Sequence, residues 1–370
     1  MSRLTKFFRF AGGHSEHIRI WYGERQQVGN TGNTQSDFNL VGEVSHNVVS
    51  LSCSVNGVDA PWTLSIGRSK DGFGDGRRLA RTGHFNADIP VDCLRFGENQ
   101  VKLIAQTTWG RQVERVVTIN RHAGCCSRPL SIDWNGVEHP QDVGQCVDGE
   151  WRIENGALRT WHTGYDRIFL LGCVSWRDYT VTVPVTIHHV ERQTGPFSGP
   201  NGLGILFRFT GHVIGGPRNF PPGQPKWGYQ PFGAIAWLRW SDGSDQLPQK
   251  QFFRGDANKM NNHGVCPVKT GSACWMKGAC ETLSETVTRY RFKIWEDGYE
   301  EPEQWDWEEE QSSDVALRCG SVGLLAHHVD ASFGPVMIEE SEGADCFLTH
   351  RALAEAGSPT SRHGPGLQVD

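Results

Sequence analysis

Arginine, lysine, histidine and tryptophan recur at alternate positions in four stretches between residues 179 and 295 of this 370-residue chain. Successive side chains of an extended strand point to opposite faces, so alternate residues share a surface. Along 179–190, Val181, Val183, Val185 and Ile187 make an apolar face, and Thr180, Thr182, Thr186 and His188 occupy the other. Along 203–213, Ile205, Phe207 and Phe209 are expected in the core, which turns Arg208, Thr210 and His212 outward. Tyr290, Phe292 and Ile294 likewise turn Arg289, Arg291, Lys293 and Trp295 away from the core, and Trp237 with Arg239 adds a similar pair. If these outward faces belong to one concave sheet, they form a groove rich in cations and indoles. Guanidinium forks match carboxylate or sulfate, and indole faces stack on apolar faces of sugar rings. The expected ligand is therefore an acidic polysaccharide or glycoconjugate, held by Arg208, Trp237, Arg239, Arg291, Lys293 and Trp295.

The same groove leaves an enzyme open. A β-elimination lyase needs a neutraliser for the uronate carboxylate, a base and an acid. His188, His212 and Tyr165 are the candidate catalytic residues, and Arg208 and Lys293 could share in these roles. A lone histidine on a strand serves equally well as a structural hydrogen-bonder. A retaining two-carboxylate glycosidase is excluded: in Gln304-Trp305-Asp306-Trp307-Glu308 an amide stands where the first carboxylate is needed. His327 and His328 are adjacent, so one is expected packed and the other exposed, with no shared metal. No cofactor is expected. Asp71-Gly72-Phe73-Gly74-Asp75-Gly76 suggests a structural Ca²⁺ loop but lacks EF-hand ligands, and a glycine-rich hairpin explains it equally well. Cys266, Cys274 and Cys280 are spaced too loosely for zinc and are disulfide candidates bracing a loop at 256–281. P-loop, Rossmann, Gly-x-Ser-x-Gly, His-Glu-x-x-His and Cys-x-x-Cys motifs are all missing.

The elements that must position these residues are strands. A net charge of -6 argues against general nucleic-acid binding. The sequence holds no run of about 18 apolar residues, the length a membrane-crossing helix needs. Residues 1–10 lack the apolar core of a secretory signal, so the chain reads as leaderless or already processed. The domain type favours an extracellular location; the oligomeric state is left open. Short alternating segments, with a hairpin-type Asn56-Gly57 turn, fill 17–121 and suit an immunoglobulin-like sandwich. A non-periodic linker, 122–130, carries Cys125-Cys126. Residues 131–341 hold longer strands, at 151–160, 167–171, 179–190, 203–213, 234–240, 286–295, 322–328 and 336–338, which fit a concanavalin-A-like jelly roll. An N-terminal arm, 1–16, and a polar tail, 342–370, complete an all-β chain whose two domains are expected to fold independently.

Several segments also carry a resemblance. In the first domain they are Ile20-Trp21-Tyr22-Gly23, Ser54-Val55-Asn56-Gly57, Leu64-Ser65-Ile66-Gly67 and Phe85-Asn86. In the second they are Tyr165-Asp166-Arg167, Trp176-Arg177-Asp178-Tyr179, Val183-Pro184-Val185-Thr186-Ile187-His188, Phe292-Lys293-Ile294-Trp295 and Ala326-His327-His328-Val329-Asp330. Together, over roughly 17–340, they resemble bacterial two-domain proteins pairing an immunoglobulin-like domain with a laminin-G-type jelly roll. The resemblance implies the architecture and transfers no catalytic residues. Three function classes follow: glycan recognition first, then a lyase or hydrolase in the same groove, then a structural or adhesive protein. The third leads if the protein ignores every uronate and sulfated polymer and His188, Arg208, His212 and Lys293 lie on different sheets.

Overall fold

The computed structural model describes residues 17–341, apart from 59–61, 69–73, 192–198, 215–222, 224, 241–245 and 258. The arm at 1–16 and the tail at 342–370 lie outside the described residues. Among the described residues, alternation gives eight strands in the first sandwich: β1 Ile18–Ile20, β2 Arg25–Val28, β3 Asp37–Val44, β4 Val48–Val55, β5 Trp62–Leu64, β6 His84–Pro90, β7 Gly97–Thr107 and β8 Gln112–Arg121. They form sheets ordered β1-β3-β6 and β2-β8-β7-β4-β5. Phe38, Leu40, Leu51, Cys53, Leu103 and Ile119 are buried in its core.

Sixteen strands, again among the described residues, build the second sandwich. They are β9 Leu130–Ile132, β10 Gly144–Cys146, β11 Trp151–Glu154, β12 Ala157–Thr160, β13 Arg167–Leu171, β14 Tyr179–Val190, β15 Asn201–Phe209 and β16 Ala234–Trp240. Then come β17 Gln249–Arg254, β18 Lys259–Val265, β19 Ala273–Thr282, β20 Val287–Glu296, β21 Trp307–Ser312, β22 Ser321–His327, β23 Val329–Phe333 and β24 Val336–Glu340. A seven-stranded sheet, β10-β13-β22-β15-β16-β17-β18, faces a nine-stranded one made of β11-β12-β23-β14-β19-β20-β21 together with β24, paired to β14, and β9, paired to β24. Val181, Val183, Ile205, Phe207, Phe292 and Leu324 belong to the core between them. The chain is thus all-β, a small sandwich followed by a large jelly-roll sandwich.

Three expectations are corrected. The stretch 151–160 is a hairpin, because Asn155 and Gly156 both adopt positive φ and turn the chain between β11 and β12. The stretch 256–281 is not a loop: β18 and most of β19 lie there, and β19 is a central strand. Its inward row, Cys274, Met276, Gly278 and Cys280, alternates with Trp275, Lys277 and Ala279, and glycine and small residues blur that pattern in the sequence. The expected bridge among Cys266, Cys274 and Cys280 does not form: all three are buried free thiols. Cys274 and Cys280 stand six positions apart on one strand, a span of roughly 20 Å.

Cys126 instead bonds to Cys173, which ties the segment 122–130 to the jelly roll. Trp176 Nε1 donates to Cys126 O at 2.9 Å in the same place. The sandwiches also share a buried polar seam. Tyr22 Oη donates to Gly149 O at 2.9 Å and accepts from Trp151 N at 2.8 Å. Arg78, almost fully buried, donates to Asp148 Oδ1 at 2.6 Å and Asp88 Oδ1 at 2.9 Å.

Candidate functional site

The seven-stranded sheet turns one face toward the core and the other outward. On its outer face, register sets Gly202 of β15 opposite Arg239 of β16, and Gly204 opposite Trp237. Both glycines are required by close approach. A Cβ on Gly202 would meet Trp237 Cε3 at 2.6 Å and Arg239 Nη1 at 3.2 Å, and one on Gly204 would meet Ala236 O at 2.1 Å. The two large side chains therefore lie across β15 where Gly202 and Gly204 present no side chain of their own. Across β17, Phe253 runs nearly parallel to Trp237, at 12° and 6.4 Å between centroids. On the other side of β15, His327 of β22 is registered with Gly202.

This floor underlies a cleft of about 660 Å³. One wall carries Val213–Ile214 and Trp227–Gln230, joined by a bridge between Val213 and Gly228. Another carries Tyr165, Asp166 and His327. His327 Nδ1 and Asp166 Oδ1 are 2.6 Å apart, and the Tyr165 ring meets His327 edge-on at 5.0 Å. Asp166 (φ 41°) and His328 (φ 55°) are both in the left-handed region, and sparsely populated backbone of this kind clusters at functional sites.

Charge is distributed unevenly in the cleft. Arg239 is 8% exposed, its Cζ sits 4.2 Å over the Trp237 ring, and among the described residues it has neither a hydrogen bond nor an ion pair. Burial pulls its guanidinium down to about 10. Asp166 is buried too, yet the facing His327 holds its carboxyl below the usual range. The Asp166 carboxylate, then burial, push the Tyr165 phenol up. Among the described residues, three buried donors at the cleft lack a partner: Arg239 Nη1, Trp237 Nε1 and Tyr229 Oη. The described part of the site thus has donors in excess.

Of the residues expected from the sequence, Tyr165, Trp237 and Arg239 come together here. The others do not. His188 lies on β14 of the nine-stranded sheet, bonded to Ser332 Oγ at 2.7 Å. His212 is buried at the seam, with Nε2 3.0 Å from Asp148 Oδ2. Arg291, Lys293 and Trp295 lie on β20, also in the nine-stranded sheet. Lys293 pairs with Glu301 at 2.7 Å, Arg291 with Glu281 at 3.6 Å, and Trp295 with the parallel ring of Trp275 at 6.0 Å.

Arg208 is fully buried. A bulge between Leu206 and Phe209, with Arg208 at φ 50°, reverses the alternation expected along β15. Phe209 joins Leu206 in the outer-face cluster, and Arg208 turns inward to Thr288 and Thr282. His188, Arg208, His212 and Lys293 therefore share no groove.

Asp166, His327 and Phe253 were missed as site residues. Phe253 had no clear signal, because Gln-Lys-Gln-Phe-Phe-Arg does not alternate; its place beside Trp237 follows from the register of β17 on β16, which puts Gln251 opposite Trp237. His327 and His328 are both buried, because the chain turns sharply at His328 between β22 and β23. Of the suggested Ca²⁺ loop, Asp71 lies outside the described residues. Asp75 Oδ1 accepts from the backbone of Arg77 and Leu79, as in an ordinary turn.

No family model matches the chain, and no curated protein matches it. Among solved structures it is similar to the exoplasmic/lumenal domain of VIP36 in its Ca²⁺- and Man2-bound form, at 10% identity and TM-score 0.38, over 59% of this chain and 91% of that one. It is also similar to the carbohydrate recognition domain of Emp46p in its potassium-bound form, at 9% identity and TM-score 0.30, over 52% and 87%. A third is a Bacillus subtilis protein of unknown function with a galectin-like fold, at 14% identity and TM-score 0.32, over 54% and 86%.

Proposed function

We propose that the outer-face cleft of the seven-stranded sheet binds a saccharide through an acidic substituent. One observation carries the reading: Arg239, buried and held over Trp237, makes no hydrogen bond or ion pair among the described residues, and the Asp166 carboxylate of the same cleft acts on it only through its field. A buried guanidinium without a partner is costly, and a bound carboxylate or sulfate relieves that cost with charge-assisted hydrogen bonds. Trp237 and Phe253 supply the flat apolar surface a pyranose needs. The scattering of the four-residue groove would have favoured a protein-contact role; Arg239 keeps the glycan reading, on a smaller site. Calorimetric titration with uronate oligosaccharides and their neutral counterparts tests it. Wild type should prefer the acid, and Arg239→Gln should lose about ten- to a hundred-fold on the acid alone. Equal affinity for acid and neutral sugars sinks the proposal.

A second reading, β-elimination, has one observation behind it: Tyr165 and the Asp166–His327 pair stand in the same cleft as Arg239. Incubation with polyuronates should then develop the absorbance of an unsaturated uronate, and Tyr165→Phe should slow it with binding retained. Silence of the wild type across glucuronate, galacturonate and mannuronate polymers rejects it.

A further inference from the structure

Beyond Arg239 and the aromatic floor, the cleft has an apolar lip. Ile214 is 62% exposed, Met260 53% and Val213 39%. All three line the cleft. Ile214 and Val213 stand on the loop wall that the bridge to Gly228 fixes, and Met260 on β18 is registered with Phe253. Single exposed apolar side chains are ordinary on a protein surface. A group of them framing one cleft, continuous with buried aromatics below, is a surface that gains by being covered. A bare sugar acid engages Arg239 and the rings but leaves this lip wet.

We propose that the ligand of this cleft is an acidic sugar bearing an alkyl or acyl substituent, which lies against Ile214, Val213 and Met260 while the acid meets Arg239. The inference rests on the acidic-saccharide reading above and adds the substituent to it. Two sources present this chemistry, a soluble acylated saccharide and an acidic glycolipid in a membrane, and both place an apolar chain beside a sugar carboxylate.

The probes are methyl glucuronide, octyl glucuronide below its micelle concentration, and octyl glucoside. Octyl glucuronide should bind about ten-fold or more tighter than the methyl compound, since several methylenes leave water. The double variant Ile214→Ser, Met260→Ser should bring the octyl-to-methyl ratio to about one. Its substitutions are at exposed positions, so the fold is retained, as circular dichroism would verify. Phosphatidylcholine vesicles with and without glucuronosyl diacylglycerol separate the sources. Recruitment only to the glycolipid vesicles supports the membrane form, and binding of octyl glucuronide without recruitment supports the soluble one. Equal affinity of wild type for the methyl and octyl glucuronides overturns the inference and leaves the acidic reading standing. Octyl glucoside binding as well as octyl glucuronide overturns the acidic reading instead.

Discussion

Two arginines of the seven-stranded sheet are almost equally buried, yet they do opposite things. Arg208 has every donor group engaged. Nε donates to Arg177 O at 2.9 Å, Nη1 to Thr288 Oγ1 at 2.9 Å and Leu317 O at 3.3 Å, and Nη2 to Asp178 Oδ1 at 3.1 Å and Thr282 Oγ1 at 2.9 Å. Since a guanidinium has five N–H donors, nothing remains for a ligand. Arg239 lies one strand away with none engaged among the described residues. Burial alone therefore says little about the role of a charge. Partner accounting separates the clamp from the candidate site, because a buried charge persists only where something compensates it.

The largest expected effect tests the clamp. Arg208→Ala leaves Asp178, Thr282 and Thr288 without their shared donor in a closed interior, so stability should drop by about 3–5 kcal/mol. Denaturant unfolding measures it. Arg239→Gln removes a charge with no direct ion pair among the described residues and should leave the unfolding midpoint unchanged or raised. If Arg239→Gln proved the more destabilising of the two, the distinction drawn between them would fail.

Acid should act next at the turn beside the cleft, at His328. Burial, then the neighbouring His327, lower the His328 imidazole to about 3. In the unfolded chain the ring titrates near about 6.5. Between those values the unfolded state binds a proton that the native state refuses, so stability is full above the unfolded value and is lost as pH falls toward the folded one. Thermal melts should thus decline from neutral pH toward pH ~4. His328→Asn, which tolerates the left-handed backbone at this position, should flatten the decline. An identical pH slope in the variant would remove His328 from the account.

Much of the fold was readable because alternation is a local signal. The strands at 167–171, 179–190 and 234–240 lie where the periodicity puts them. The site was less readable for a physical reason. Which face a residue takes depends on every bulge before it, and Arg208 with positive φ flips the end of β15 without any glycine or proline to announce it. Sheet membership is not local either: Trp237 and Lys293 look alike as outward cations and aromatics, yet their strands belong to opposite sheets. Arg239 was legible as an outward arginine, but its lack of a direct ion pair among the described residues emerges only from packing. The seam at Arg78, Asp88 and Asp148 was invisible for the same reason. It joins Arg78 to Asp148 across 70 positions of sequence, so the two sandwiches should unfold together rather than as separable halves, whichever bond at 122–130 a protease cuts.

The smallest effect is expected at Lys293, the residue that most resembled Arg239 in sequence. It is 5% exposed, but its ammonium already meets Glu301 Oε1 at 2.7 Å and Pro302 O. Glu301 is also held by Lys277 at 2.7 Å and is itself partly solvated. Lys293→Met keeps the aliphatic stem against the sheet and removes the ammonium, with its ion pair to Glu301 and its hydrogen bond to Pro302 O. Glu301 retains Lys277, and solvent screens what is lost, so stability should change by no more than about 1 kcal/mol. Because Lys293 lies in the sheet opposite the cleft and already has its counter-ion, affinity for an acidic sugar should not change at all. Calorimetry on the variant reads both quantities from one preparation. A fall in affinity comparable to that of Arg239→Gln would mean that a paired cation on the nine-stranded sheet contributes as much as an unpaired one in the cleft, and the contrast between the two sheets would then have no bearing on binding.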